Sequence, residues 1–401
     1  MAMPERENIK IVSIGWKIMK KKPEFHGSDL EKIADYYHLD KEKIVLFGAN
    51  VNPLGLSGQV KKDLAEHLDI ISSYPDRDYT DLKKAIAAYT NTSPEHIVVG
   101  NGSTELISLL ISQRAPKRAL LLGPTYSEYA RELNLVGGTL EYYNLKEEQD
   151  FRLDISDLTD TLKSDIDLLI ICNPNNPTGY LYTRREMNQI RDLVKKYDLF
   201  LFSDEVYREF IYTGSPYISA CHLEGIENNV VLIDSVSKRY SECGIRVGAL
   251  ITKNKEIRDA VMKFCQARLS PPLIGQIAAE ASLDAGEDYL RDTYDEYVER
   301  RKCLIDGLNR IPGVYSPIPM GAFYTVAKLP VDDSDKFCAW CLSDFEYEGQ
   351  TVFMAPASGF YTTPGSGRNE VRIAYVLKKE DLTRALFVLS KALEAYPGRT
   401  E

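Results

Sequence analysis

The sequence predicts an α/β fold: a large domain whose mainly parallel sheet is flanked by helices, followed by a smaller α+β domain. Three observations lead there. Short runs that are apolar at nearly every position recur between residues 97 and 251, as expected of strands buried on both faces. Amphipathic stretches long enough for helices, such as residues 185–196, separate most of them, the alternation of a parallel sheet. After about residue 275 that alternation stops.

In chain order, the first element is expected at Ser28. Ser28 and Glu31 make a capping box, and Leu30, Ile33, Ala34 and Tyr37 fall at i, i+3, i+4 and i+7, one face of a helix. Residues 46–55 (LFGANVNPLG) read as turns, because Pro53 and two glycines interrupt them. Strands are expected at 97–99, 119–122, 168–172, 199–202, 230–233 and 248–251. Beyond them come a long helical region over 275–308, a strand at 323–326, a helix near 336–347, strands at 351–354 and 371–376, and a closing helix from Glu380. Helices and strands no longer alternate regularly there, which is the signature of an α+β unit. The expected division is an N-terminal arm over residues 1–45 packing with the small domain, a large domain over 46–275, and a small C-terminal domain over 276–401.

Composition excludes several classes. The chain has 401 residues, a formal net charge of −10, 44% hydrophobic and 27% charged residues. A nucleic-acid binder normally shows a basic face, and the only basic cluster is KIMKKK at 17–22, which reads as a solvated helix face. No apolar stretch reaches the roughly 18–20 residues that span a bilayer, and MAMPERENIK at the N-terminus has no apolar signal region. Neither a nucleic-acid partner nor a membrane is expected. The seven cysteines are irregularly spaced and read as reduced thiols, so a cytoplasmic location is expected. Cys338 and Cys341 form a C-x-x-C pair, but no second pair and only five scattered histidines accompany it. It reads as structural, and no metal is expected.

Ligands of parallel sheets bind at the carboxyl ends of the strands, so the residues after each run carry the functional reading. After 97–99 comes Gly100-Asn101-Gly102-Ser103-Thr104-Glu105 and an apolar helix. Backbone N–H groups at a helix start suit a phosphate; Glu105 stands where a dinucleotide fingerprint has its third glycine. After 119–122 comes Gly123-Pro124-Thr125-Tyr126, whose aromatic can stack on a flat ring or simply pack. After 168–172 comes NPNNPTG, residues 173–179; its prolines fix the backbone and so aim an Asn amide. After 199–202 comes Ser203-Asp204-Glu205-Val206-Tyr207. A carboxylate leaving an apolar strand is costly to bury alone, so Asp204 needs a cationic partner. After 230–233 comes Asp234-Ser235-Val236-Ser237-Lys238, with Arg246 eight residues past the lysine. A lysine at a strand end, kept neutral by desolvation and nearby cations, is what Schiff-base chemistry requires.

The ordered set 173–179, 203–207, 235–238 with Arg246, and Arg372 in VRIAY resembles the fold-type-I pyridoxal-phosphate (PLP) aminotransferases, the aspartate aminotransferase superfamily, over about residues 45–395. The resemblance implies a PLP-dependent transferase fold, pyridoxal 5'-phosphate as cofactor, and amino-group transfer between an L-amino acid and a 2-oxo acid. It implies that Lys238 carries the cofactor as a Schiff base and then moves the proton at the substrate α-carbon. Asp204 would pair with the ring nitrogen, Asn176 and Tyr207 would bond the ring's phenolic oxygen, and Tyr126 would stack on the ring. Gly102, Ser103, Thr104, Ser235, Ser237 and Arg246 would hold the phosphate. Arg372 would clamp the substrate carboxylate, with Asn176 and Asn52 as further substrate contacts. Tyr74 matches a tyrosine that reaches the neighbouring subunit's phosphate, implying a homodimer.

Within the superfamily, ANVNPLG (49–55) and YPD (74–76) resemble the histidinol-phosphate aminotransferase and threonine-phosphate decarboxylase branch, whereas residues 354–375 resemble aspartate or aromatic aminotransferases. The position that carries an arginine for a distal carboxylate in one aspartate subgroup aligns with Cys265, and Arg268 is displaced by three residues, so dicarboxylate specificity is not implied. Three other classes share parts of this set. A serine acyl enzyme would use Ser235-x-x-Lys238 but also needs S-D-N and K-T-G elements, which are missing. A PLP-binding regulator would carry a DNA-binding domain ahead of the first motif, where only about 45 residues stand. A PLP lyase, decarboxylating or β-eliminating, shares Lys238, Asp204 and Arg372 and stays open, because the bond broken depends on which one stands perpendicular to the ring.

Overall fold

In the computed structural model, residues 30–162, 165–269 and 271–400 are described. The basic run at 17–22 and the capping serine Ser28 lie outside them. The strands in chain order are β1 (Ile44–Leu46), β2 (Ile97–Gly100), β3 (Arg118–Gly123), β4 (Thr139–Asn144), β5 (Leu168–Cys172) and β6 (Phe200–Asp204). They continue with β7 (Val230–Ser235), β8 (Gly248–Ile251), β9 (Tyr324–Lys328), β10 (Thr351–Phe353), β11 (Ala355–Pro356) and β12 (Glu370–Ala374).

The main sheet has the order β2-β8-β7-β6-β5-β3-β4. Strands β7, β6, β5, β3 and β4 run parallel, and β8 lies antiparallel to both β7 and β2. Every residue of β5, β6 and β7 is buried, which is why these runs carry no alternation in sequence. Helices cover both faces: Leu106, Ile107 and Leu110 pack on Val98, Leu121 and Phe202, while Met187, Ile190 and Val194 pack on Leu120, Leu169 and Leu201.

Strand β4 was not anticipated. It pairs only with β3 at the sheet edge, and its TLEYYN sequence is mostly half-buried, so it lacks the apolar run by which its neighbours announce themselves. Register brings the carboxyl ends together: Cys172 faces Asp204, Asp204 faces Ile233, and Ser235 faces Gly248. The site is built on this edge.

The C-terminal part forms a three-stranded antiparallel sheet in the order β11-β12-β9. The expected long helix over 275–308 is two helices, Leu273–Asp284 and Asp288–Leu308, parted at Gly286 with φ +82°, a conformation that interrupts a right-handed helix. The helix expected near 336–347 spans Ser334–Ser343. The N-terminal helix Leu30–Tyr37 buries Ile33 and Ala34 against Leu342 and Phe353, and β1 pairs in parallel with β10. Cys338 and Cys341 lie buried in the helix Ser334–Ser343 without a disulfide. Among the described residues no helix is long and apolar enough to cross a membrane, and no cluster of ligands could hold a metal ion.

Candidate active site

A cavity of about 970 Å³ opens at the carboxyl ends of the strands, lined by Lys238, Asp204, Tyr207, Tyr126, Asn176 and Arg372 among others. Ser103, Thr104, Ser235, Ser237 and Arg246 line it as well. Residues as far apart in sequence as Ser103 and Arg372 thus share one enclosure.

Its floor is electrostatically unfinished. Asp204 ends β6 and is buried. Its Oδ2 accepts a 2.6 Å bond from the Tyr129 hydroxyl and its Oδ1 a 3.3 Å bond from the Val206 N–H. Burial raises its pKa to about 6, the two hydrogen bonds opposing and Asp234 and Glu205 adding to the rise. Among the described residues no cation forms an ion pair with it, so a carboxylate stands in a low-dielectric site without the partner it needs.

Lys238 lies in the four-residue helix Val236–Arg239 that directly follows β7. Its Nζ donates to the Asn50 carbonyl at 2.6 Å. Burial lowers its pKa; the neighbouring Arg372 and Arg246 act the same way, while Cys243 and Asp204 oppose. A buried amine with a lowered pKa is neutral more of the time and is therefore a better nucleophile and base.

At one end of the cavity the helix Ser103–Arg114 begins with no side chain capping it. Its N-cap Gly102 has φ +88°, and a Cβ there would lie 2.1 Å from Nη2 of Arg246. A Cβ on Gly248 would lie 2.6 Å from the Ser103 nitrogen. Both glycines therefore let the backbone and the guanidinium close around one small space. Ser235 Oγ lies 2.9 Å from both Ser237 Oγ and the Val247 carbonyl, which sets the hydroxyls beside that space. Free helix-start amides, hydroxyls and a guanidinium form a site for a phosphate.

Opposite, Arg372 on β12 is buried. Its Nη1 donates to Asn176 Oδ1 at 3.2 Å and its Nη2 to the Gly48 carbonyl at 3.1 Å. The guanidinium lies over the Tyr324 ring at 4.5 Å and the Phe360 ring at 5.0 Å. Its Nε has no partner, and such a buried orphan donor marks a place for an acceptor. The loop after β5 is fixed by Asn175 Nδ2, which donates to the Pro124 carbonyl and to Thr178 Oγ1, each at 2.9 Å. The Tyr207 and Tyr324 hydroxyls are 3.1 Å apart, and Tyr126 meets Tyr129 edge-on.

Three further residues singled out in the sequence do not line this cavity. Asn52 is buried but does not line the cavity: Nδ2 donates to the Lys238 carbonyl at 3.1 Å, and Oδ1 accepts from Leu54 N and Tyr297 Oη. Its amide ties the lysine's backbone to the loop after β1. Arg268 pairs with Glu105 at the far side of the helix start. Tyr74 stands 85% exposed on the surface of this chain. Sequence reasoning missed Tyr129 and Asn50. Tyr129 follows Tyr126 by three residues, which was its only available signal; Asn50 acts through its backbone carbonyl, which no side-chain pattern reveals.

These side chains fit PLP. The orphan donor of Arg372, the unpaired carboxylate of Asp204 and the glycine-lined anion cradle are separate deficits that one phosphorylated, cationic aromatic aldehyde with its amino-acid substrate would fill together.

The model of the class I and II aminotransferase family matches residues 42–389. A threonine-phosphate decarboxylase of Salmonella typhimurium is 32% identical over 270 residues, covering 67% of this chain and 70% of that protein. A histidinol-phosphate aminotransferase of Methanocaldococcus jannaschii is 25% identical over 383 residues, covering 94% and 96%. The crystal structure of an aromatic aminotransferase from Pyrococcus horikoshii superposes with a TM-score of 0.80 at 26% identity, covering 91% of this chain and 98% of that one.

Proposed function

The chain belongs to the class I and II aminotransferases, a family of PLP-dependent enzymes, and we propose that it moves an amino group between an L-amino acid and a 2-oxo acid with the cofactor held covalently on Nζ of Lys238. The observation that carries this reading is the shared cavity in which a buried lysine of lowered pKa, a buried carboxylate lacking a cation and an arginine with an orphan Nε meet.

When bound, the cofactor's protonated ring supplies a conjugated sink for the electron pair released at the substrate α-carbon. The protein does the rest. Asp204, oriented by Tyr129 and the Val206 amide, would pair with the protonated ring nitrogen. Asn176 and Tyr207 would donate to the ring's phenolic oxygen. The helix start at Gly102 to Thr104, with Ser235, Ser237 and Arg246, would hold the phosphate. Tyr126 would pack on the ring face. Arg372 receives the substrate α-carboxylate, its direction fixed by Asn176 and the Gly48 carbonyl. Lys238, whose amine is kept neutral by burial, would carry the cofactor and would be the base for the proton at the substrate α-carbon. Asn52 holds the lysine's backbone while its side chain moves. We place the protein as a homodimer in which the exposed Tyr74 reaches the partner's phosphate site.

The test is the half-reaction: PLP-loaded protein mixed with an amino donor should release a 2-oxo acid and retain the nitrogen on the cofactor. The 32% identical threonine-phosphate decarboxylase favours a second reading, decarboxylation, for which the same mixture would release carbon dioxide and an amine. Release of neither product by cofactor-loaded protein would reject both.

A further inference from the structure

Resting on the PLP reading above, we infer that Tyr324 is a positioning residue for Tyr207: its hydroxyl donates to the Tyr207 oxygen and so leaves the Tyr207 proton free for the cofactor's phenolic oxygen.

The inference follows from counting protons. A phenol carries one proton to donate and lone pairs to accept, and the two hydroxyls are 3.1 Å apart with either able to donate. Tyr207 lines the cavity, whereas Tyr324 stands behind it and is fully buried. Were Tyr207 the donor, its only proton would point away from the cavity. The Tyr324 proton would then be buried without an acceptor, because among the described residues its hydroxyl bonds Tyr207 alone, and its burial keeps out groups from elsewhere. An unmet buried donor is costly. With Tyr324 as donor both protons are used, one on the Tyr207 oxygen and the other directed into the cavity. A hydroxyl that accepts a hydrogen bond also becomes a stronger donor, so Tyr324 strengthens a contact that it does not itself make.

The surroundings hold this direction. Tyr324 opens β9 opposite Ala374 of β12, the strand that carries Arg372. Its ring meets the Tyr207 ring edge-on at 5.5 Å and the Phe323 ring at 4.7 Å, and the Arg372 guanidinium covers it at 4.5 Å. Gripped between these groups, the ring cannot swing its hydroxyl elsewhere at low cost. The same packing dictates the variant that tests the idea: Tyr324→Phe removes the oxygen and leaves the ring under Arg372 in place.

The experiment uses the full chain loaded with PLP and follows the cofactor's absorption as a function of pH, which gives the pKa of the proton on its linkage to Lys238. Loss of that proton leaves more negative charge on the phenolic oxygen, so donors to this oxygen hold the pKa down. Tyr207→Phe should therefore raise it. Tyr324→Phe should raise it too, by about 0.5 to 1 pH unit, the worth of roughly one neutral hydrogen bond, with the far-ultraviolet spectrum unchanged. In the Tyr207→Phe background the second substitution should add nothing, since it acts only through the hydroxyl already removed. A merely structural role of Tyr324 would not produce that dependence. A pKa that stays or falls in either single variant, or that rises by the same amount again in the double variant, would overturn the inference and leave the aminotransferase reading standing. A wild-type protein that forms no absorbing linkage with PLP would withdraw both.

Discussion

The Asp204→Asn protein isolates the cost of a carboxylate that the fold holds ready for a cation. In the cofactor-free protein the Asp204 pKa is raised from 3.8 to about 6, burial being the main cause. A raised carboxylate pKa means that its contribution to stability is fully present below about 3.8 and is lost as pH rises through about 6. The full loss is about 3 kcal/mol, from roughly two pKa units at about 1.4 kcal/mol each. Between about pH 5 and about pH 8 the linkage relation leaves a further loss on the order of 1 kcal/mol. Asparagine cannot ionise, so this part of the pH dependence should vanish, while the Tyr129 hydroxyl keeps an acceptor at the same place. Glu242, pushed up to about 7 by burial, is common to both proteins, so their difference reports position 204. Urea unfolding of the two cofactor-free proteins, followed by circular dichroism at both pH values, reads it directly. The variant should gain on the order of 1 kcal/mol on wild type as pH rises. Parallel pH profiles would show that Asp204 is not strained in the empty site and would refute the reasoning.

Two further outcomes follow from single contacts. Arg372→Ala should weaken amino-acid and carboxylate binding by about 2–5 kcal/mol while leaving the cofactor's absorption intact, as read by titration; loss of the cofactor instead would mean that Arg372 belongs to its site and not to the substrate's. Gly102→Ala combines a φ of +88° with a Cβ 2.1 Å from Arg246, so the guanidinium must move out of the cradle. Cofactor affinity should fall by at least about tenfold with the far-ultraviolet spectrum unchanged, and equilibrium dialysis against PLP checks this.

Legibility differed by element. Strands β5, β6 and β7 were readable because burial on both faces leaves no polar residue in LLIIC or VVLI, and the chemistry-bearing residues follow them directly in sequence. Strand β4 escaped because, at the sheet edge, its residues are mostly half-buried and carry no apolar run. The helical region after residue 275 was read as continuous because a single glycine is too weak a signal to place a break, and only its φ of +82° shows one. Within the site, Asp204 was legible as a charge that an apolar neighbourhood cannot tolerate unpaired and Lys238 as an amine at a strand end, whereas Arg372 was legible only through the family resemblance. For Asn52 the sequence shows an amide but not its partners, which are the Lys238 carbonyl, Leu54 and Tyr297. Tyr129 was hidden among 25 tyrosines, and only the fold singles out the one whose hydroxyl reaches Asp204.

The most direct test is chemical trapping. The protein is incubated with PLP, reduced with borohydride and digested, and the modified peptide is sequenced by mass spectrometry. The account predicts one pyridoxyl group on Nζ of Lys238 and none in Lys238→Ala. A stable adduct on a different lysine, or none on the wild-type protein, would contradict it.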